Sequence, residues 1–179
     1  MKIVLVLSLF FSANISTHPT KWAETNKQFF SDCFNKEFVE EELVQMNPAL
    51  LVPICTFSRI LEIRAQVIHG CRKLRSYHHG CNALDFYFDN YLSADKCMRM
   101  TALLNRYRQF VRYLDSSKTL YFGGLGVYPH NKYTPAIHWD LRGFGVFWGR
   151  LGNGKYVYFK GPDEQEEWLI AQIHACDFP

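Results

Sequence analysis

A chain of 179 residues, 48% hydrophobic and 16% aromatic, has the length and composition of one domain with a core of its own. That excludes a disordered tail or a scaffold that folds only when cross-linked. A formal net charge of +3 is too small for bulk electrostatics to point to nucleic acid.

Met1-Lys2 followed by the apolar run Ile3 to Phe11 reads as a secretory signal, too short to span a bilayer, with small residues at Ser12, Ala13, Ser16 and Thr17 for cleavage. Residues 1–17 are therefore expected to be removed, leaving a secreted chain with no membrane attachment and a single domain over residues 18–179. The six cysteines at 33, 55, 71, 81, 97 and 176 all lie beyond the signal, and an even count in an exported chain predicts three disulfides without choosing their pairing. Cys71 and Cys81 flank a short loop and read as its braces.

Glu37 to Gln45 reads as a short acidic helix ended by Asn47-Pro48, and Leu50 to Ile54 as a strand or a buried turn. Ile60 to Ile68 alternates, with Ile60, Glu62, Arg64 and Gln66 against Leu61, Ile63, Ala65 and Val67, which predicts a strand whose polar face looks into a cleft.

Ser76-Tyr77-His78-His79-Gly80-Cys81-Asn82-Ala83-Leu84-Asp85 then brings two histidines, a turn and a carboxylate together. The strand that follows places Leu84, Phe86 and Phe88 on an apolar face and Asp85 on the other. Gly80, Cys81 and Asn82 suit a turn, so His78 from the loop and Asp85 from the strand can converge on one point.

Ser93 reads as the N-cap of a helix from Ala94 to about Leu114, with Asp95 in the first turn and a core stripe of Met100, Leu103, Leu104, Tyr107, Phe110, Val111 and Leu114. Glycines 123, 124 and 126 lack the Gly-Lys-Ser/Thr of a phosphate loop and instead let a strand pass close to a cleft. His130 and Tyr133 follow on a loop that could touch a substrate. In Ala136 to Leu141, alternation turns Ile137, Trp139 and Leu141 to a core, while His138 and Asp140 share the opposite face with Ala136. Gly145 to Trp148 and Lys155 to Phe159 are aromatic strands joined at Gly152-Asn153-Gly154, a type I′ hairpin signal, and Asp163 to Cys176 closes the chain as a helix with Trp168, Leu169 and Ile173 inward.

Two neutral imidazoles, His78 and His138, with the carboxylate of Asp85 would leave a zinc ion an open fourth position, the pattern of a catalytic rather than a structural site. His69, His79 and His174 are not expected to be ligands.

The set Ser-x-His-x6-Asp (Ser76, His78, Asp85), Gly-Gly-x-Gly-x-Tyr-Pro (Gly123 to Pro129) and His-x-Asp (His138, Asp140) resembles the zinc D-Ala-D-Ala carboxypeptidases and murein endopeptidases, relatives of the hedgehog signalling domain. The likeness covers roughly residues 60 to 143, with His69-Gly70-Cys71-Arg72 where that family often has Ser-Gly-Tyr-Arg. The resemblance implies a small α+β domain with an antiparallel sheet and flanking helices, braced here by disulfides. It also implies zinc on His78, Asp85 and His138, and a hydrolase acting on the peptides of peptidoglycan. Asp140, on the face of His138, is the candidate base for water. Arg72 is the candidate clamp for a substrate carboxylate, with Arg142 a second choice. The alternative is a secreted zinc-containing binding module that performs no turnover.

Overall fold

Alternation in two short segments decides the architecture. Ala83–Phe88 (β2) and Ala136–Asp140 (β4) each carry an apolar row, and the two rows meet side by side because the strands pair antiparallel. Around them the sheet has six strands in the order β1-β2-β4-β3-β5-β6, with β1 at Ala65–His69, β3 at Gly124–Tyr128, β5 at Val146–Arg150 and β6 at Tyr156–Phe159. All neighbours run antiparallel except β3 and β5. The structure is a computed structural model that describes residues 27–41, 43–71, 80–88, 95–131 and 134–176. The proposed signal segment lies outside the described residues.

Three of the helices, α2 (Pro48–Ile60), α3 (Lys96–Ser116) and α4 (Pro162–His174), cover one face of the sheet; a short helix, α1 (Lys36–Glu41), precedes them. Phe57 of α2 packs against Phe88 at 4.9 Å between ring centroids, and Phe110 of α3 lies 5.9 Å from Phe86 and 6.4 Å from Trp139. The buried stripe of α3 is Met100, Leu103, Leu104, Tyr107, Phe110 and Leu114, as its spacing predicts. From α4, Leu169 and Ile173 are buried and Trp168 packs on Phe159 at 5.5 Å. The fold is thus α+β, a mostly antiparallel sheet with helices on one side. Among the described residues no helix is long and apolar enough to cross a membrane.

Between α3, α4 and the sheet lies one polar knot. The amide of the fully buried Gln165 donates to Leu125 O at 2.9 Å and Trp148 O at 2.7 Å, and so ties α4 to both β3 and β5. The Tyr107 hydroxyl sits 2.7 Å from Gln165 Oε1 and 3.0 Å from Pro162 O. Burial, with Glu166 and Asp163 nearby, pushes its pKa far up, so it stays a neutral donor.

Three disulfides join Cys33 to Cys55, Cys71 to Cys81 and Cys97 to Cys176. The second closes the loop that carries residues 72–79, in keeping with a brace.

Several local expectations change. Pro48–Ile60 is a helix and not a strand or turn: Asn47 caps it by accepting from Ala49 N at 3.0 Å, and Pro48 occupies the first turn, where its missing N–H costs nothing. The strand expected from Ile60 begins only at Ala65, because Ile60 ends α2 and Glu62 takes a left-handed turn with φ of 53°. Asp95 caps α3 through Met98 N at 2.8 Å, whereas Ser93 lies outside the described residues. The β5–β6 hairpin forms, but only Gly154 of its loop has positive φ, and Leu151 N bonds Lys155 O at 2.9 Å. That is a three-residue loop, not a type I′ turn.

Candidate metal-site cluster on the sheet

The face of the sheet opposite α2, α3 and α4 carries one polar cluster, and strand register builds it. Asp85 of β2 pairs with His138 of β4, His138 with Gly126 of β3, Gly126 with Trp148 of β5, and Trp148 with Tyr158 of β6. On the other side Asp85 pairs with His69 of β1, after a bulge. These residues form one rank across all six strands, His69, Asp85, His138, Gly126, Trp148 and Tyr158, since cross-strand partners share a face.

At its centre Asp85 and His138 are each 5% exposed, and His138 Nδ1 lies 2.7 Å from Asp85 Oδ1. The other ring nitrogen, Nε2, is 3.0 Å from Asp140 Oδ2. Asp140 is fully buried and takes three further donors: Gly124 N at 3.0 Å and Arg142 Nε at 2.7 Å on Oδ1, and Arg142 Nη2 on Oδ2. Burial alone would lower the pKa of His138, but its bonds to Asp140 and Asp85 prevail and raise it. For Asp140, burial acts upward and is outweighed by Arg142 and His138, so its carboxyl is held below the usual range.

Trp148, 4% exposed, floors the cluster. Its ring centroid lies 5.0 Å from that of His138, and the Arg142 guanidinium sits 4.7 Å above it. The glycines of β3 exist for this ring. A Cβ on Gly126 would meet Trp148 at 2.5 Å, and one on Gly124 would meet Arg142 Nε at 2.6 Å and Asp140 Oδ1 at 2.7 Å. Tyr128 completes the enclosure at 6.0 Å from His138, its phenol kept protonated first by burial and then by the charge of Asp85.

Of the residues singled out in the sequence, Asp85, His138 and Asp140 are brought together. His78, His79, Arg72 and Tyr133 lie outside the described residues. His130 bonds Gln172 Oε1 at 3.0 Å through its ring. Arg142 is occupied by Asp140 and Trp148. Trp148 was missed as a member of the cluster, and His69 as the β1 residue paired in register with Asp85. Two glycines at i and i+2 facing an aromatic strand were the available signal for Trp148; His69 needed the pairing register, which no local pattern carries.

Comparison with known protein families, curated proteins and solved structures returns no match.

The cluster's fit to zinc can be tested on its donors. An imidazole and a carboxylate face each other at contact distance, and a second carboxylate backs the imidazole, the outer arrangement usual for zinc-binding histidine. Among the described residues no group of three His, Cys, Asp or Glu side chains is placed to hold a metal ion. The donors therefore fit as two ligands, and residues 72–79, enclosed by the Cys71–Cys81 bond, lie outside the described residues.

Proposed function

We propose that the protein is a secreted zinc-dependent peptidase that hydrolyses peptide bonds in the stem peptides or cross-links of peptidoglycan. The observation that carries this is the 2.7 Å approach of His138 Nδ1 to Asp85 Oδ1 on a buried sheet face, with Asp140 behind the ring. His78, Asp85 and His138 would hold the metal. Zinc held there supplies Lewis-acid polarisation of a scissile carbonyl and acidification of water.

The protein's own residues divide the remaining work. Asp140 accepts on both oxygens from Gly124, Arg142 and His138, which uses its four lone-pair directions. A carboxylate so committed orients His138 and is poorly placed to take a proton from water, so we assign it the orienting role in preference to that of base. Trp148 and Tyr128 exclude water from the far side of the imidazole. Arg72 remains the candidate for a substrate carboxylate. Three disulfides accord with an oxidising compartment and hence with secretion.

Asp140's full set of donors also favours a second reading, a zinc-containing module that binds peptide without cleaving it. Mass spectrometry of muropeptides incubated with the protein, with and without a zinc chelator, separates the two. A product that vanishes with chelator is expected for the peptidase, and its mass identifies the bond. Intact muropeptides from folded, zinc-loaded protein would overturn the peptidase in favour of the binding module.

A further inference from the structure

We propose that Arg142 is a positioning residue for His138: by its two-point grip on Asp140 it fixes an imidazole proton on Nε2 and leaves Nδ1, directed at Asp85, as the nitrogen whose proton a metal would replace. The proposal rests on the reading of His138 as a zinc ligand.

The deduction runs through valence. Arg142 places Nε 2.7 Å from Asp140 Oδ1 and Nη2 against Oδ2, a fork that matches an ionised carboxylate. Gly124 N adds a third donor at 3.0 Å. An ionised carboxylate accepts and never donates. The fourth contact, Oδ2 to His138 Nε2 at 3.0 Å, therefore needs its hydrogen from the ring, so Nε2 is an N–H. The other nitrogen, Nδ1, lies 2.7 Å from Asp85 Oδ1, a contact that holds a proton between the two atoms when no metal is bound; zinc would take that proton's place, so Nδ1 is the atom left to ligate.

Arg142 is suited to fix this because it is itself fixed. Its side chain is 14% exposed, and its guanidinium lies 4.7 Å over the Trp148 ring, which packs 5.0 Å from the His138 ring. One aromatic plane thus carries both the clamp and the ring it orients. A lysine at this position would offer a point charge without the fork.

The test uses the full secreted chain, zinc alone as ligand, and nitrogen-15 labelled histidine. In the zinc-loaded wild type, the ring resonances of His138 are expected to show a proton on Nε2 and metal on Nδ1. Zinc affinity, measured by competition with a chromophoric chelator, should fall about 10- to 100-fold in Arg142→Gln, as is usual when the partner behind a ligand is lost. Arg142→Lys should recover part of that loss, and Asp140→Asn should lose at least as much as Arg142→Gln. A wild type that binds no zinc overturns the metal-site reading and this proposal with it. A wild type that binds zinc through Nε2, or a folded Arg142→Gln within twofold of wild-type affinity, overturns this proposal alone. The wild-type spectrum decides the matter even if Arg142→Gln does not fold.

Discussion

Asp85 and His138 stand directly opposite each other on adjacent antiparallel strands, and their side chains meet at 2.7 Å on a face that is almost fully buried. Neither loop flexibility nor a chance rotamer is needed to bring them together. If zinc binds the folded chain there, it stabilises the fold by about 2.7 kcal/mol at a free concentration 100 times Kd. For a domain of this size that is a rise of about 5 to 10 °C in Tm. Calorimetry with zinc and then with excess chelator should show the rise and its removal in the wild type, and no rise in Asp85→Asn or His138→Ala. A zinc-dependent increment that survives both substitutions would place the metal elsewhere.

The Cys71–Cys81 and Cys97–Cys176 bonds close loops of very different length, with separations of 10 and 79 residues. Chain entropy assigns the shorter about 2 to 3 kcal/mol and the longer about 4 to 5 kcal/mol. Replacing Cys97 and Cys176 by Ala should therefore cost more in chemical denaturation yet leave zinc affinity unchanged in the folded protein. Replacing Cys71 and Cys81 should cost less in stability but weaken zinc binding if His78 is a ligand, because that bond encloses the stretch that includes His78. Equal zinc affinity in both double variants would remove His78 from the ligand set.

Gly126→Ala should destabilise by about 1 to 3 kcal/mol, the usual cost of overpacking, since its Cβ would fall 2.5 Å from the Trp148 ring and push that ring toward His138. Gly152→Ala is the control: its added Cβ would make only ordinary contact, 3.7 Å from His130, and a change within about 0.5 kcal/mol is expected. Urea midpoints of the two variants compare them directly. A tolerated Gly126→Ala would mean that Trp148 is not held where the cluster needs it.

Gln165→Leu removes the two buried side-chain bonds to the carbonyls of Leu125 and Trp148, at about 0.5 to 1.5 kcal/mol for each bond. Tyr107→Phe removes a single donor whose proton is shared by Gln165 Oε1 and Pro162 O, so its cost should be smaller. Denaturant unfolding of both variants checks the order. The reverse order would mean that the helix-to-helix bond matters more than the tie to the sheet.

Much of the frame was legible because it is periodic. Leu84, Phe86, Phe88, Ile137 and Trp139 face the core and Asp85, His138 and Asp140 face away, as alternation alone requires. The stripe of α3 was equally plain. Pro48–Ile60 was not, because Asn47-Pro48 ends one segment and caps the next, and Pro53 sits inside an otherwise apolar helix. The candidate site divides in the same way. Its candidate ligands Asp85 and His138 were visible in short motifs, while the bond from Gly124 to Asp140 and the fit of Trp148 over two glycines depend on the β3–β4 and β3–β5 registers, which link segments distant in the chain.

The rank that runs from His69 through Asp85, His138, Gly126 and Trp148 to Tyr158 takes one residue from every strand. Its members enter the chain as early as residue 69 and as late as residue 158, so the imidazole gains its floor only once β5 has paired with β3, and the rank is complete only after the last hairpin has docked. Such wide sequence separation makes closure late in folding. Any metal affinity of the cluster would then arise only with completion of the sheet.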